Sequence, residues 1–188
     1  MAFLDLEKTY DRVNWNQLWQ ILNSRCIPYH LIEVIKSLYK NTSLQIDTGR
    51  KILEKVYINQ AVRQSCNLSR ALFNIYIDDL LRNWKHKADA GIRLKINLCL
   101  NTLLFADNHV VMQDSEDKLQ KSVYILNQMS KDLNLKISTD KTKIMILKGK
   151  HLLHSKIEID RSILEQVKQF KYLGCKLSLD GEPDFDRK

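Results

Sequence analysis

The amino-acid sequence predicts an α+β fold in which helices pack on one face of an antiparallel sheet. The apolar patterns follow the order strand, helices, hairpin, helix, hairpin, helix and short strands, which does not alternate as a doubly wound parallel sheet requires. The 188 residues include only 5 Gly and 2 Pro, with no repeat or low-complexity tract that could act as a linker. We therefore expect a single domain covering residues 1–188.

The first part of the chain predicts a strand, two helices and a hairpin. Residues 1–5 form a short apolar run that is typical of a buried strand. Two groups of apolar residues then recur at helical spacing, and each marks one face of a helix: Trp15, Leu18, Trp19 and Leu22, then Leu31, Val34, Ile35 and Leu38. Residues 43–46 and 52–58 predict a hairpin, because Asp47, Thr48 and Gly49 supply turn residues between them.

The rest of the chain predicts a long helix, a second hairpin, a capped helix and short strands. The long helix covers residues 68–84, with inward positions at Leu72, Ile75, Leu80 and Trp84. The hairpin joins residues 100–106 to residues 109–112, with Asp107 and Asn108 in its turn. Ser115 can cap the next helix, and Glu116 and Asp117 suit its positive N-terminal end. That helix would bury Leu119, Val123, Leu126, Met129 and Leu133, and short strands would follow at 143–147, 157–159 and 172–177.

The charge balance favours a polyanionic partner. The formal net charge is +8 and the sequence pI is about 9.3. An excess of this size suits nucleic acid, although a solvated basic surface explains it equally well. No apolar stretch approaches 18 residues, so the sequence predicts no membrane span.

The four cysteines indicate a reducing environment. Cys26, Cys66, Cys99 and Cys175 form no C-x-x-C pair, and no histidine pair has zinc-ligand spacing. We expect them to be small buried hydrophobic residues of a reducing, intracellular protein. Asp5, Glu7 and Lys8 interrupt the N-terminal apolar run, so no signal peptide is expected.

Two aspartates are candidates for metal-dependent chemistry. Asp5 ends the first apolar strand, and Asp107 follows the apolar residues 103–106 in a tight turn. Phosphoryl transfer by a two-metal mechanism needs carboxylates from separate strands that converge on Mg²⁺ ions bridging the substrate phosphates. Aspartate is also common where strands end, so each could be a plain turn residue on spacing alone.

Five segments resemble, in order, the motifs of non-LTR (LINE-type) retrotransposon reverse transcriptases. AFLDLEKTYDRV at 2–13 resembles the first palm motif, and AVRQSCNLSRALFN at 61–74 resembles the second. LFADN at 104–108 resembles the F-A-D-D box, and LKIS at 135–138 with KTK at 141–143 resembles the fourth motif. FKYLG at 170–174 resembles the primer grip. Together the motifs cover nearly the whole chain.

The resemblance implies a reverse-transcriptase palm that catalyses RNA-directed DNA synthesis with two Mg²⁺ ions and no small-molecule cofactor. Its partners would be an RNA template, a DNA primer and deoxynucleoside triphosphates. Palm motifs would occupy residues 1–148, and residues 149–188 would form primer-grip-like strands and the start of a thumb.

The resemblance also implies roles for single residues. Asp5 and Asp107 would bind the metals with the Leu6 carbonyl, and Asn108 stands at the third catalytic position. Tyr10 would lie under the incoming sugar, Arg63 and Gln64 would contact nucleotide and template, and Lys141 would approach the triphosphate. Tyr172, Leu173 and Gly174 would form the primer grip. Purely structural roles are also open for these residues. Tyr10 could be a half-buried aromatic, Gly174 a turn or bulge glycine, and the remaining three surface polar residues: Arg63, Gln64 and Lys141.

The chain departs from the family pattern at several positions. Asn108 replaces the second carboxylate of the F-A-D-D box, and Ala61 and Ser65 replace glycines where the backbone should approach a ligand. The first motif begins at residue 2, ahead of which the family carries its fingers. We expect a truncated, degenerate and inactive polymerase domain; the alternative is a non-catalytic nucleic-acid-binding or structural remnant.

Overall fold

The computed structural model shows a mixed α/β protein. It describes residues 1–45, 47–49, 52, 54–64, 66–88, 91–95, 98–105, 108–147, 154–179 and 184–185. The helices are α1 (Trp15–Ser24), α2 (Tyr29–Tyr39), α3 (Asn67–Lys87) and α4 (Glu116–Asp132), with a 3-10 turn at Thr9–Arg12. The strands up to the second hairpin are β1 (Ala2–Asp5), β2 (Ser43–Leu44), β3 (Val56–Tyr57), β4 (Ile92–Lys95), β5 (Leu98–Leu100), β6 (Thr102–Phe105) and β7 (Asn108–Val111). The later strands are β8 (Lys143–Ile144), β9 (Glu158–Ile159), β10 (Ser162–Ile163), β11 (Glu165–Gln166), β12 (Gln169–Tyr172), β13 (Cys175–Ser178) and β14 (Asp184–Phe185).

The chain divides into two compact units. One contains Met1–Glu7 and Asn83–Lys188, and the other contains Lys8–Arg82. The expectation of one domain, with palm motifs in residues 1–148 and primer-grip-like strands in 149–188, stays a prediction.

A five-stranded sheet forms the centre of the first unit, in the order β11-β8-β1-β7-β6. Strand β1 pairs antiparallel with both β7 and β8, whereas β11 runs parallel to β8, so the sheet is mixed and not antiparallel throughout. The central position of β1 explains its continuous apolar run, because a strand covered on both faces has no solvated side. Ala2, Phe3 and Leu4 are all buried.

Different elements contact the two faces of this sheet. Because side chains alternate along a strand, Val110 and His109 of β7 point to opposite faces. On the Val110 face, the ring of Phe3 stacks on Phe170 of β12 at 4.2 Å between centroids. On the other face, His109 meets the edge of Trp84, which belongs to the last turn of α3.

Helix α4 begins where the sequence predicts. The Ser115 side chain accepts a hydrogen bond from the backbone N–H of Lys118, and Glu116 and Asp117 occupy the first turn, so the predicted cap is confirmed. Leu119, Val123 and Leu126 are buried, but the predicted inward residues Met129 and Leu133 are only half-buried. Serine and asparagine take the remaining inward positions at Ser122, Asn127 and Ser130, and the Ser122 carbonyl accepts the Trp84 indole N–H at 2.9 Å.

The second unit exposes the apolar face that the sequence marked on α2. Leu31, Val34 and Leu38 are exposed, whereas Ile32 and Tyr39 are buried. The helix therefore buries a different face from the predicted one, because Tyr39 packs against the rest of the unit. Its ring centroid lies 5.6 Å from that of Trp15, and its hydroxyl shares a hydrogen bond with Ser69. Along α3, Leu72, Leu80 and Trp84 are buried as predicted, but Ile75 is only half-buried and Phe73 and Tyr76 are buried in addition.

Hairpin registers correct two sequence-based predictions. Phe105 pairs with Asn108, so Asn108 begins strand β7 and does not sit in the turn. Residues 172–177 do not form one strand: Tyr172 pairs with Cys175 across a two-residue loop. In that loop Leu173 and Gly174 have φ of 50° and 82°, as a type I′ turn requires. The pairing of the first predicted hairpin is confirmed, although its described strands, β2 and β3, are shorter than the predicted 43–46 and 52–58. Gly49 N–H donates to the Asp47 carboxylate at 2.8 Å.

The cysteines differ from the expectation of buried residues. Cys26 and Cys99 are exposed, and Cys66 and Cys175 are half-buried; all four are free thiols. Within the described residues, no helix is long and apolar enough to cross a membrane.

Candidate active site

Asp5 lies at the end of the central strand, directly opposite Asn108. The two residues are register partners in the β1–β7 ladder. Side chains at directly opposed antiparallel positions have Cβ atoms about 5 Å apart, close enough to act on one ligand. Asp107, the residue before Asn108, lies outside the described residues, so its separation from Asp5 stays a prediction.

The segment from Lys136 to Thr142 fixes the backbone around Asp5. Ser138 N–H donates to the Asp5 carbonyl at 2.8 Å, and Asp5 N–H donates to Thr142 Oγ1 at 3.4 Å. Glu7 N–H donates to the Lys136 carbonyl at 2.8 Å, and Leu6 bridges to Ile137. These bonds pair Leu6 with the segment around Ile137 in an antiparallel bridge. The role of the Leu6 carbonyl as a metal ligand stays a prediction.

One oxygen of the Asp5 carboxylate has an ammonium nearby but no hydrogen-bond donor among the described residues. Asp5 Oδ2 is buried and accepts no hydrogen bond within the described part of the chain. Lys141 Nζ lies 3.5 Å away, longer than the roughly 2.7–2.9 Å of a charge-assisted hydrogen bond, so the contact is electrostatic only. A buried carboxylate oxygen without a donor is unfavourable unless a cation compensates it, and hard cations such as Mg²⁺ take oxygen ligands of this kind. Among the described residues, no group of three or more His, Cys, Asp or Glu side chains could hold a metal ion, and Asp107 lies outside them. A Mg²⁺ site at Asp5 therefore stays a prediction.

A cleft of about 170 Å³ opens beside this carboxylate. It is lined by Phe3, Leu4, Asp5, Asn108, His109, Lys141, Phe170 and Tyr172. Of the predicted site residues, the structure therefore brings together Asp5, Asn108, Lys141 and Tyr172. The cleft is smaller than the roughly 300–1,000 Å³ of typical ligand pockets.

The sequence did not single out Phe170 and His109, which line this cleft, or Thr142, which accepts a hydrogen bond from Asp5 N–H. Phe170 and Thr142 lie inside quoted motifs, so their position in those segments was the available signal. His109 follows Asn108, and its own identity carried no such signal. Burial, followed by the nearby Lys85 ammonium, lowers the pKa of His109 to about 3. The imidazole is therefore neutral, and it shares a short hydrogen bond with the Thr102 hydroxyl.

The predicted nucleotide-binding residues of the second unit have structural partners of their own. The Tyr10 ring stacks on Phe73 at 4.9 Å between centroids. The Arg63 guanidinium donates to the Leu38 carbonyl at 2.9 Å and lies over the Tyr39 ring, so it caps the C-terminal end of α2. Gln64 is exposed. Roles of Tyr10, Arg63 and Gln64 toward nucleotide and template stay predictions.

Ala61 occupies a backbone conformation suited to glycine. Its φ is 82°, where a side chain is strained. It cannot relax freely, because its N–H donates to the Val13 carbonyl at 2.9 Å and its carbonyl accepts the Trp15 indole N–H at 2.7 Å. Ser65, the other position where the family has glycine, lies outside the described residues.

We expect Ala61→Gly to stabilise the chain by about 0.5–2 kcal/mol. Relief of positive-φ strain should stabilise the folded chain by about 1–3 kcal/mol. The greater conformational entropy of glycine favours the unfolded chain by only about 0.4–1 kcal/mol, so stabilisation is the larger effect. Urea denaturation measures the change. Ala71→Gly, an exposed position in α3, is the matched control and should destabilise by about 1 kcal/mol. Equal destabilisation by both substitutions would contradict the prediction.

The sequence was compared with models of known protein families and with known proteins. A family model described as reverse transcriptase (RNA-dependent DNA polymerase) matches residues 1–177. The chain belongs to this family. Its relatives place it more closely, as a reverse transcriptase domain of the non-LTR retrotransposon class.

Three relatives illustrate the similarity. The Pol polyprotein from the type-1 retrotransposable element R2 of Popillia japonica is 23% identical over 95% of this chain and 30% of its own length. The Pol polyprotein from the type-2 element R2DM of Drosophila melanogaster is 22% identical over 96% of this chain and 18% of its own length. The transposon TX1 149 kDa protein of Xenopus laevis is 23% identical over 97% and 14%. The chain thus spans less than a third of these relatives.

Proposed function

We propose that this chain is the palm of an RNA-directed DNA polymerase, built for two-metal nucleotidyl transfer but inactive in its present form. The observation that carries the proposal is the Asp5 carboxylate. It ends the central strand beside a cleft, with a buried oxygen that no hydrogen bond satisfies within the described residues. Helix α4 and the last turn of α3 on one face of the sheet support the palm interpretation.

Each residue has a defined part in this proposal. Asp5, Asp107 and the Leu6 carbonyl would hold two Mg²⁺ ions, which neutralise charge on the phosphates and the attacking oxygen. We expect the Asp5 and Asp107 carboxylates to lie about 3–6 Å apart, given Mg–O distances of about 2.1 Å. Lys141 would meet the triphosphate, and Tyr10, Arg63 and Gln64 would orient nucleotide and template. Tyr172, Leu173 and Gly174 would hold the primer.

Gly174 also has a structural explanation. Among the described residues, no atom lies within 4 Å of a Cβ built at this position, so contacts with them do not require glycine there. Its φ of 82° in the two-residue turn does. A primer-grip role would therefore add a function to a residue that the hairpin already needs.

Asn108 supports the inactive state. An amide keeps an oxygen but loses the charge that a hard cation prefers, and it faces Asp5 directly across the ladder. Loss of one charge-stabilising group from an active site commonly lowers the rate by about 10²–10³-fold. Primer extension on a homopolymer template, with and without Asn108→Asp, tests the catalytic half of the proposal.

The second candidate is a non-catalytic nucleic-acid-binding remnant. The ion pair between Lys141 and Asp5 favours it, because an internal cation already compensates the carboxylate. The two candidates share the fold and the basic surface and differ in whether Asp5 binds metal.

Both candidates predict weak, salt-sensitive binding of RNA and RNA–DNA hybrid. The net charge of +8 should release counterions from the phosphate backbone. We expect dissociation constants of about 10⁻⁴–10⁻⁶ M, weakening at least several-fold between about 50 and 200 mM salt. Fluorescence anisotropy across a salt series measures this, with a neutral-backbone oligonucleotide of the same sequence as control. No binding at low salt, or a response that salt does not change, would count against any nucleic-acid role.

A further inference from the structure

The segment that anchors Asp5 also brings a lysine to its carboxylate. Lys141 N–H donates to Ser138 Oγ at 3.4 Å, and the neighbouring Thr142 hydroxyl accepts from Asp5 N–H. Ser138 in turn donates to the Asp5 carbonyl at 2.8 Å. Ser138 and Thr142 are both buried, so the backbone on either side of Lys141 is fixed to Asp5. The approach of Lys141 therefore follows from the fold.

Neighbouring lysines in this region have different partners. Lys136 Nζ lies 3.1 Å from Glu7, and Lys143 Nζ lies 2.7 Å from Glu165. Lys141 is the lysine that the structure pairs with Asp5, at 3.5 Å from the buried Oδ2.

We propose that Lys141 is the internal counter-ion of Asp5 in the metal-free chain, and that a divalent cation binding at Asp5 displaces its ammonium toward the cleft. The proposal rests on the proposed function, in which Asp5 is a metal ligand. Cation and ammonium compete for the same oxygen, because Asp5 Oδ2 is the nearest carboxylate atom to Lys141 Nζ. The displaced ammonium would then be available to phosphate oxygens of a nucleotide, so metal binding and phosphate binding favour one another.

The geometry allows this exchange. The Lys141 side chain is 73% exposed and that of Asp5 is 25% exposed, so the ammonium can move away from Oδ2 along the open cleft while the carboxylate stays in place. Part-exposed ion pairs are weak, so Lys141 should lower the affinity of Asp5 for a divalent cation only modestly. A tightly buried pair would instead exclude the metal.

Metal binding to the whole chain tests the proposal. Mn²⁺ is added to the unmodified chain, Lys141→Gln and Lys136→Gln, and free Mn²⁺ is followed by electron paramagnetic resonance. We expect Lys141→Gln to bind Mn²⁺ about two- to fivefold more tightly, the range for loss of a part-exposed ion pair. Lys136→Gln removes the same charge from the same segment and should match the unmodified chain. Equal affinities for Lys141→Gln and the unmodified chain, or the same gain in both variants, would overturn the proposal.

A second measurement separates the ion pair from the metal site. The lysines are labelled as ¹³C-dimethyl-lysine, which keeps the charge, and the Lys141 signal is identified by its loss in Lys141→Gln. We expect this signal to shift on Asp5→Asn without metal, and to move in the same direction when Mg²⁺ is added to the unmodified chain. A signal that does not respond to Asp5→Asn would overturn the ion pair. A response to Asp5→Asn with no Mn²⁺ or Mg²⁺ effect in any variant would overturn the metal site, and with it both the displacement and the proposed catalytic function.

Discussion

Primer extension by this chain on a homopolymer RNA template, with Mg²⁺ and deoxynucleoside triphosphates, is expected to yield no detectable product. The sheet register places the neutral amide of Asn108 opposite Asp5, and the resemblance to the F-A-D-D box predicts a carboxylate at that position. That change alone should lower the rate by about 10²–10³-fold. Ala61, in the segment that resembles the second motif, is strained at φ 82°, and poor positioning of a nucleotide can cost roughly 7–11 kcal/mol in catalysis.

We expect Asn108→Asp by itself not to restore synthesis. It returns a carboxylate to the site, but Ala61 remains strained at φ 82° and Ser65 keeps a side chain where the family has glycine. Tighter Mn²⁺ binding by Asn108→Asp would show that the variant has regained metal affinity without regaining turnover. Asn101→Asp, outside the cleft lining, is a control for the added charge. Nucleotide incorporation by the unmodified chain, abolished by Asp5→Ala or Asp107→Ala, would show that the domain is a working polymerase.

The second large effect is a loss of folding stability at acidic pH, which we expect to arise mainly from His109. Burial lowers its folded-state pKa to about 3, whereas the unfolded value is about 6.5. The unfolded chain therefore takes up a proton that the folded chain does not. The stabilisation from a neutral His109 is fully present above pH 6.5 and is lost as pH falls toward 3. At pH 5 the loss should reach about 2 kcal/mol, from about 1.5 pH units at roughly 1.36 kcal/mol each.

Urea denaturation at pH 7 and pH 5 measures this loss. The test variant is His109→Phe combined with Thr102→Val, which keeps a ring against Trp84 and leaves no Thr102 hydroxyl without its partner. Its loss of stability between the two pH values should be about 2 kcal/mol smaller than that of the unmodified chain. His30→Gln, at an exposed position, should keep the original pH dependence. An unchanged pH dependence in the double variant would contradict a buried neutral imidazole.

Much of the local structure was predictable because its causes are local. Residues 2–4 are apolar without alternation and buried, and they form most of the central strand, which is covered on both faces. Ser115 caps α4 through an oxygen that reaches N–H groups within one turn. The motif order was also sufficient to predict the reverse transcriptase family, which the comparisons confirm.

Other features depend on contacts distant in sequence. The spacing on α2 marks Leu31, Val34 and Leu38, but the helix turns Ile32 and Tyr39 inward, because Tyr39 packs on Trp15 and bonds to Ser69. Asn108 looked like a turn residue until the ladder paired it with Phe105 and Asp5. A one-residue change of register moves a side chain to the other face of a sheet, and local sequence does not decide it.

The sequence by itself determined the family and the aspartate at the end of the first strand, since these are properties of residue identity and order. Tertiary structure alone decided the electrostatic state of the site. It places Lys141 beside Asp5, which lies 136 positions earlier in the sequence. It also buries His109, which lowers the pKa of the imidazole and keeps it neutral. Charge pairing and burial depend on distance in space, so no reading of neighbouring residues could supply them.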